Sequence, residues 1–253
     1  MPTCNSIIMK VIYKLILPSL AALVMLFSTG CDDISCFSVT GDVVDRPYSI
    51  GAISGLRMFC EGTVYLAQGD SQSVVLRSDE ELFKVLQFHI TDGVLIMEFT
   101  EDCVEHIGKF ELYITTTQDF KSIELVGSGN VIGLDSLQAT QLSISITGSG
   151  SVELGQVHSE SLEVDISGYG DVSLTGPDTL SIQSNTISGS GNINSFNLLA
   201  REVTVSGSGS GNIEVFAVDT LYGGISGSGS VRYKGNPGLN VSTAGSGQLI
   251  DAN

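Results

Sequence analysis

Hydrophobic and polar residues alternate along most of this chain, in short segments that end at Gly, Asp or Ser. A period of two places successive side chains on opposite faces of an extended strand. Before residue 120 the alternation predicts strands at 63–66, 73–77, 93–99 and 110–114. Residues 79–88 differ, because Leu82, Val85 and Leu86 have helical spacing. We expect at most a short helix there.

A Gly-X-Gly turn recurs from residue 127 onward at nearly constant spacing. The steps between the first glycines are 21, 20, 21, 18, 20 and 18 residues. An alternating strand leads into each turn, and an aliphatic residue follows two positions after the second glycine, as Val131 and Val152 do. We assign a structural role to the turn glycines, which are Gly127, Gly129, Gly148, Gly150, Gly168, Gly170, Gly189, Gly191, Gly207, Gly209, Gly227, Gly229, Gly245 and Gly247.

A repeat of about 20 residues predicts an all-β chain in which residues 121–250 form a β-solenoid, or parallel β-helix. Aliphatic side chains point inward and stack between rungs, while Ser and Thr face water. Glycine is expected at the corners because the turn needs backbone angles that a Cβ resists. Asn130, Asn192 and Asn212 follow their turns, and we predict that they hydrogen-bond along the rod as stacked amides.

Both ends of such a rod expose unpaired strand edges. Seven rungs spaced by the usual strand separation give a rod of roughly 34 Å. We expect residues 46–120 to cap one end. A neighbouring copy is expected to cover the other end, near Asn253.

The first 30 residues have the features of an export signal. Two lysines and no acid precede an apolar run at 15–27, which is too short to span a bilayer permanently. The segment resembles a bacterial lipoprotein signal ending before Cys31, although Ser28 stands where an aliphatic residue is usual. We expect Cys31 to be lipidated and to anchor the chain to the outer membrane, with residues 31–45 as a tether. An ordinary cleaved signal is the alternative.

Three cysteines follow Cys31, namely Cys36, Cys60 and Cys103, and Cys4 falls in the signal. In an oxidising compartment one disulfide is expected. We predict that Cys60 pairs with Cys103, because Cys36 lies in the tether. The cysteine and histidine spacing predicts no zinc site.

The net charge of −17 limits the classes of partner. Without the first 30 residues, nine Lys and Arg oppose 28 Asp and Glu, which gives about −19. Such a surface repels phosphate backbones, so we expect no nucleic-acid partner. The negative charge would keep the protein soluble and would make copies repel one another on a crowded surface. Alternatively, it would serve contacts that are assisted by cations. A hydrophobic fraction of 42% with 15% charged residues excludes a disordered polar chain.

Residues with catalytic chemistry are dispersed along the sequence. No turn is followed by the Gly-Lys-Ser/Thr sequence of a phosphate-binding loop. Calcium-binding β-roll repeats recur every nine residues, which does not fit the turn at 168–170. Polysaccharide-cleaving enzymes need clustered carboxylates, usually with a basic residue that meets the developing negative charge. The acids considered, Glu153, Asp165 and Asp171, are predicted to point outward, and the basic residues beyond 121 are Arg201, Arg232 and Lys234.

Histidines and tyrosines are the remaining candidates for site residues. His89, His106 and His158 are scattered and lack a neighbouring nucleophile signature. Tyr169, Tyr222 and Tyr233 could form a stacking surface for sugars, or they are ordinary half-exposed aromatics. We therefore predict no catalytic residue, no metal and no cofactor.

The N-terminal landmarks and the turn series together resemble the family of auto-transporter adhesins with a head GIN domain. The resemblance covers roughly residues 46–250 and implies a right-handed parallel β-helix like that of pectin lyases, no retained catalytic residues, adhesion, and a possible homotrimer. The landmarks that precede the turns are Arg46 and the segments 54–56, 64–70, 73–74, 79–80 and 92–96.

The functional expectation is a non-enzymatic surface lipoprotein that acts in adhesion, with a host, glycan or envelope-protein ligand. Two alternatives are open. One is a periplasmic scaffold or sensing accessory that binds another envelope protein. The other is a glycan-active enzyme on the solenoid.

Overall fold

The computed structural model describes residues 36–39, 41–101, 103–105 and 108–253, and residues 36–253 belong to one compact unit. Most of these residues are in strands. One 3₁₀ turn, Glu80–Lys84, follows β5. The strands are β1 (Phe37–Ser38), β2 (Val43–Pro47), β3 (Gly55–Met58), β4 (Thr63–Gln68), β5 (Ser73–Asp79), β6 (Leu86–Thr91), β7 (Val94–Phe99), β8 (Val104–Glu105), β9 (Phe110–Thr116), β10 (Ser122–Gly127), β11 (Asn130–Gly133), β12 (Leu137–Gly148), β13 (Ser151–Leu154), β14 (Val157–Gly168), β15 (Asp171–Ile187), β16 (Asn192–Gly207), β17 (Ile213–Ile225), β18 (Val231–Lys234), β19 (Gly238–Thr243) and β20 (Leu249–Asp251).

The strands form a β-solenoid of about six turns with two main faces, which confirms the predicted fold class. The first face is a parallel ladder in the order β7, β3, β10, β12, β14, β15, β16, β17, β19. The second face runs β9, β4, β11, β13, β15, β16, β17, β18, β20. Each of the long strands β15 to β17 passes from the second face to the first within its own length, and so contributes to both faces.

The glycine corners stack directly on one another between the two faces. The Ser149 amide donates to the Gly127 carbonyl at 2.9 Å, and the Ser190 amide donates to the Gly168 carbonyl at 2.8 Å. A Cβ built on Gly189 would collide with the Gly168 carbonyl oxygen. Some corners also need a positive φ, such as +140° at Gly148. Glycine is therefore required by close approach as well as by backbone angle.

Gly207 is an exception to the corner role that the sequence predicted. It pairs with Ile187 on one side and with Ile225 on the other, so it occupies an aliphatic position of the rung. The corner glycine is Gly209, whose Cβ would meet the Gly189 carbonyl, whereas a Cβ on Gly207 would meet open space. Because glycine occurs at 207, 209 and 211, the sequence allows two assignments of the corner that differ by two residues. The structure has the second of them, with Gly209 and Gly211 at the corner.

The interior is filled by columns of aliphatic side chains with equivalent positions in successive rungs. One column contains Val131, Val152, Val172, Ile193, Ile213 and Val231, each 1% exposed or less. A polar trio interrupts neighbouring columns: Gln183 Nε2 donates to Asn185 Oδ1 at 3.1 Å and to Ser195 Oγ at 2.8 Å. Gln183 Oε1 and Asn185 Nδ2 are buried without a hydrogen-bond partner in this part of the structure. Paired amides limit the cost of burying polar atoms among aliphatic groups.

Antiparallel strands close the N-terminal end of the solenoid, but the predicted cap at 46–120 also contributes β3, β4, β7 and β9 to the parallel ladders. β6 pairs with β7, β5 pairs with β9, and β2 pairs with β5. The predicted helix is reduced to the 3₁₀ turn, in which Leu82 is buried, because β6 begins already at Leu86. The four predicted strands before residue 120 are confirmed as β4, β5, β7 and β9.

The predicted tether is wrong for the described part of residues 36–45. β1 pairs in parallel with β8, and β2 belongs to the cap. The predicted disulfide is also wrong, because Cys103 bonds to Cys36, with their Cα atoms 4.8 Å apart. Cys60 is a buried free thiol that faces the Met97 carbonyl, and burial raises its pKa to about 12. The disulfide fastens the start of the folded unit to the cap.

Several predictions concern residues outside those that the structure describes. They are the signal at 1–30, the lipidated Cys31 and His106. Within the described ranges, no helix has the length and apolarity to cross a membrane.

Alanine substitutions at two glycines should have opposite effects on stability. Gly207→Ala should stabilise the protein by about 0.4–1 kcal/mol, because it restricts the unfolded chain at a site with room for a Cβ. Gly189→Ala should destabilise it by about 1–3 kcal/mol, because the methyl group overlaps the carbonyl one rung earlier. Chemical denaturation of both variants measures this. Equal shifts of the midpoint would contradict the assigned register.

The cysteine assignment predicts a specific peptide map. Digestion of the oxidised chain should yield a linked peptide pair containing Cys36 and Cys103, which separates on reduction. Iodoacetamide should modify Cys60 only after unfolding, because the thiol is buried and its pKa is about 12. Mass spectrometry identifies each site, and a link involving Cys60 would refute the assignment.

Candidate functional site

A polar ladder runs along the outside of the second face, beside the glycine corners. Asn212 Nδ2 donates to Asn192 Oδ1 at 3.2 Å, and Asn192 Nδ2 donates to Asp171 Oδ1 at 2.8 Å. Earlier in the column, Ser151 Oγ donates to Asn130 Oδ1 at 2.7 Å. The predicted amide stacking is confirmed for Asn192 and Asn212, while Asn130 stacks on a serine. These bonds hold the outer side chains in a regular array.

Two tyrosines form an aromatic pair at the N-terminal end of the same outer face. Tyr65 on β4 and Tyr113 on β9 are directly paired residues, and their rings stack with centroids 4.8 Å apart and planes 13° apart. Both rings point outward because the flanking residues, such as Val64 and Leu112, fill the core. Ile132 and Val75 extend the pair on either side. We call Val75, Tyr113, Tyr65 and Ile132 the aromatic platform.

Charged groups border the aromatic platform and fix one of its rings. The Tyr113 hydroxyl donates to Glu111 at 3.1 Å, and Lys109 Nζ lies 2.9 Å from the same carboxylate. Burial, followed by the bond to Glu111, raises the pKa of Tyr113 above its ordinary value. Burial would raise the pKa of Glu111 as well, but hydrogen bonds from Lys109 and Tyr113 lower it. The phenol stays neutral and the carboxylate charged, so the ring has a fixed orientation.

A polar groove of about 550 Å³ lies at the other side of the solenoid, along β12 and β14. Its rim includes Lys121, Asp119 and Glu163, and its floor includes Leu142. The described lining contains no aromatic residue, so the groove can hydrogen-bond a polar ligand but offers no ring for stacking. The aromatic platform is therefore the stronger candidate for recognising a ring.

The three tyrosines predicted as a stacking surface do not form one. Tyr233 is 9% exposed and lies in the core column with Val215. Tyr169 is 73% exposed at the corner that follows β14. Tyr222 is 39% exposed on β17, which is three strands beyond β14 in the first face. The aromatic pair was missed because its two residues meet only through the pairing of β4 with β9. Period-two alternation within each strand is the signal that could have shown both side chains to point outward.

The other residues considered for chemistry are also dispersed in the structure. His89 on β6 lies 3.8 Å from Glu98, while His158 on β14 contacts Asp178. Arg232 pairs with Glu214, and Arg201 pairs with Asp219. Glu153, Asp165 and Asp171 point outward, as predicted. Within the described ranges, no three His, Cys, Asp or Glu residues are grouped as metal ligands.

One protein family matches most of the chain. The sequence model of "Putative auto-transporter adhesin, head GIN domain" matches residues 54–237. No match was found among functionally curated proteins.

Solved bacterial structures have the same fold. A "putative adhesin" of Bacteroides fragilis is 25% identical, with a TM-score of 0.80 over 85% of this chain and 99% of that one. A "putative lipid binding protein" of Parabacteroides distasonis is 21% identical, with a TM-score of 0.69 over 86% and 100%. A "putative adhesin" of Parabacteroides merdae is 21% identical, with a TM-score of 0.65 over 85% and 98%. The family match and the first likeness indicate a protein of the cell surface or envelope.

Proposed function

Because the chain belongs to the auto-transporter adhesin, head GIN domain family, we propose that it is a surface lipoprotein that acts in adhesion. The solenoid serves as a rigid scaffold, and Cys31 carries the lipid anchor. The aromatic platform makes the contact with the ligand. The observation that carries the proposal is the stacked pair Tyr65 and Tyr113, held on the outer face by backbone pairing.

The proposed ligand is a neutral sugar ring on a cell-surface or secreted glycan. The outward edges of the two stacked rings, with Ile132 and Val75 beside them, provide an apolar surface for the C–H groups of a sugar. Hydroxyl groups of the sugar would reach Glu111 and Lys109 at the border of the platform, which provide an acceptor and a donor. The net charge of −17 disfavours acidic glycans by repulsion.

A rigid scaffold suits adhesion because binding then costs little conformational entropy. The platform residues lie on strands that are paired on both sides, β4 with β9 and β11, and β9 with β4 and β5. Their positions are set before a ligand arrives. Preorganisation of this kind raises the affinity that a small contact, such as one with a surface glycan, can reach.

Loss of the platform rings should abolish most of the ligand binding. The double variant Tyr65→Ser and Tyr113→Ser should bind an array of neutral oligosaccharides roughly tenfold more weakly or worse, since each ring contact contributes about 1 kcal/mol. Tyr222→Ser is the matched control, because Tyr222 is exposed on the other face. Unfolding midpoints confirm that the variants are folded.

The glycan proposal would be contradicted by two results. One is that the unaltered chain binds no arrayed sugar. The other is that the control loses as much binding as the double variant.

The anchor and the orientation are tested in cells that produce the full chain. Cys31→Ser should move the chain from the membrane fraction to the soluble fraction, because one residue carries the lipid. Added protease should degrade the unaltered chain on intact cells. Protection of the chain would favour the periplasmic scaffold, and normal processing with membrane retention of the variant would refute the anchor.

A further inference from the structure

The last rung of the solenoid leaves core positions uncovered. Leu239 on β19 is equivalent to Leu221 on β17, which is 0% exposed, yet Leu239 is 49% exposed. Leu142 and Leu162, at the same position in earlier rungs, are each 2% exposed. Every earlier rung is covered by the rung that follows. Among the described residues, no strand performs that role for β19.

The backbone of this rung also has free hydrogen-bonding groups. β19 pairs only with β17, and β20 pairs only with β18, among the described strands. The Ala244 amide points back to the Ile225 carbonyl. Because amide directions alternate along a strand, the amides of Thr243, Val241 and Leu239 point to the open edge. An edge of this kind is ready to pair with another strand.

The usual protections of an open edge are missing here. β19 contains no Asp, Glu, Lys, Arg or proline, and β20 contains one acid, Asp251, and no proline. Two strands end the N-terminal cap: β2 contains Asp45, Arg46 and Pro47, whereas β6 contains no proline and only His89 as an ionisable residue. Charge and proline on an edge strand discourage pairing. Their absence from β19 leaves its open edge able to pair with another strand.

The distribution of charge along the rod favours a particular partner. Residues 122–200 contain eight acids and no Lys or Arg, whereas residues 201–253 contain four acids and three basic residues. Two copies of an acidic protein repel least where their charge is lowest. The final rungs are that place. An N-terminal end of another copy would bring the charged β2 edge instead.

We propose that two copies of this chain pair through their C-terminal rungs, with β19 antiparallel to β19 of the second copy. A twofold axis normal to the faces makes the contact self-complementary and closes the assembly at two. The pairing supplies the missing layer over Leu239 and satisfies the edge amides. It leaves the aromatic platform, at the opposite end, free.

Native mass spectrometry of the full chain released from detergent micelles tests the proposal. The unaltered chain should give a dimer that dissociates on dilution. Leu239→Lys places a charge in the shared layer, and Thr243→Pro removes one edge amide without touching the pairing to β17. Both variants should be monomeric at concentrations where the unaltered chain is dimeric. Thr204→Lys, on a strand paired on both sides, is the matched control and should remain dimeric.

Hydrogen exchange resolved to single residues gives a second measurement that needs no variant. The amides of Leu239, Val241 and Thr243 should exchange slowly in the dimer and quickly after dilution. Asn240 and Ser242, whose amides face β17, should stay protected in both states. A monomer at all concentrations, a trimer, a dimer insensitive to both edge variants, or exchange independent of concentration would overturn the proposal. If one variant fails to fold, the other variant and the exchange pattern decide.

Discussion

Stacking of the glycine corners is the constraint on which the rest of this structure depends. At each corner an amide donates to the carbonyl one rung earlier, as Ser228 does to Gly209 at 2.9 Å. A Cβ on Gly189 or Gly209 would collide with the carbonyl oxygen one rung earlier, so this stacking requires glycine. The corner bonds set the register between successive rungs. A slip of one residue would turn every aliphatic column outward, so the corners and the core specify the same register.

The same constraint determines where the chain can vary. Rungs of 18 to 21 residues share one register at the corners, so differences in length are absorbed elsewhere. Between β15 and β16 the pairing shifts at Ser173, Thr175 and Thr179, away from the corner glycines. The buried trio of Gln183, Asn185 and Ser195 is another local departure. It is tolerated because most of its polar atoms bond to one another within rigid neighbouring rungs.

Much of the fold could be predicted from the sequence, because each repeat shows the same pattern of alternating residues followed by a glycine turn. The alternation predicts the strands, and the spacing of the glycines predicts the corners. Gly207 was misassigned because glycine at 207, 209 and 211 allows two registers, and only the opposing Ile187 and Ile225 distinguish them. The disulfide partner and the aromatic platform depend on strands far apart in sequence. No local pattern could show that β1 pairs with β8, or that β4 pairs with β9.

The regularity of the rod leaves few positions that can be specific. Along the middle rungs, the outer ladder beside the corners repeats small polar side chains, although the charge and the groove along β12 and β14 differ between rungs. Specific contacts must therefore lie where the repeat is interrupted, at the aromatic platform and at the uncovered last rung. The aromatic platform and the last rung lie at opposite ends of the solenoid. A dimer paired through the last rungs would therefore carry two aromatic platforms, and neither platform would take part in the dimer contact. Two platforms on one rigid body would bind a surface of repeated sugars with an avidity that can exceed the single affinity by roughly 10²–10⁴. A weak sugar site on a solenoid is useful for adhesion because the geometry of the solenoid can multiply it.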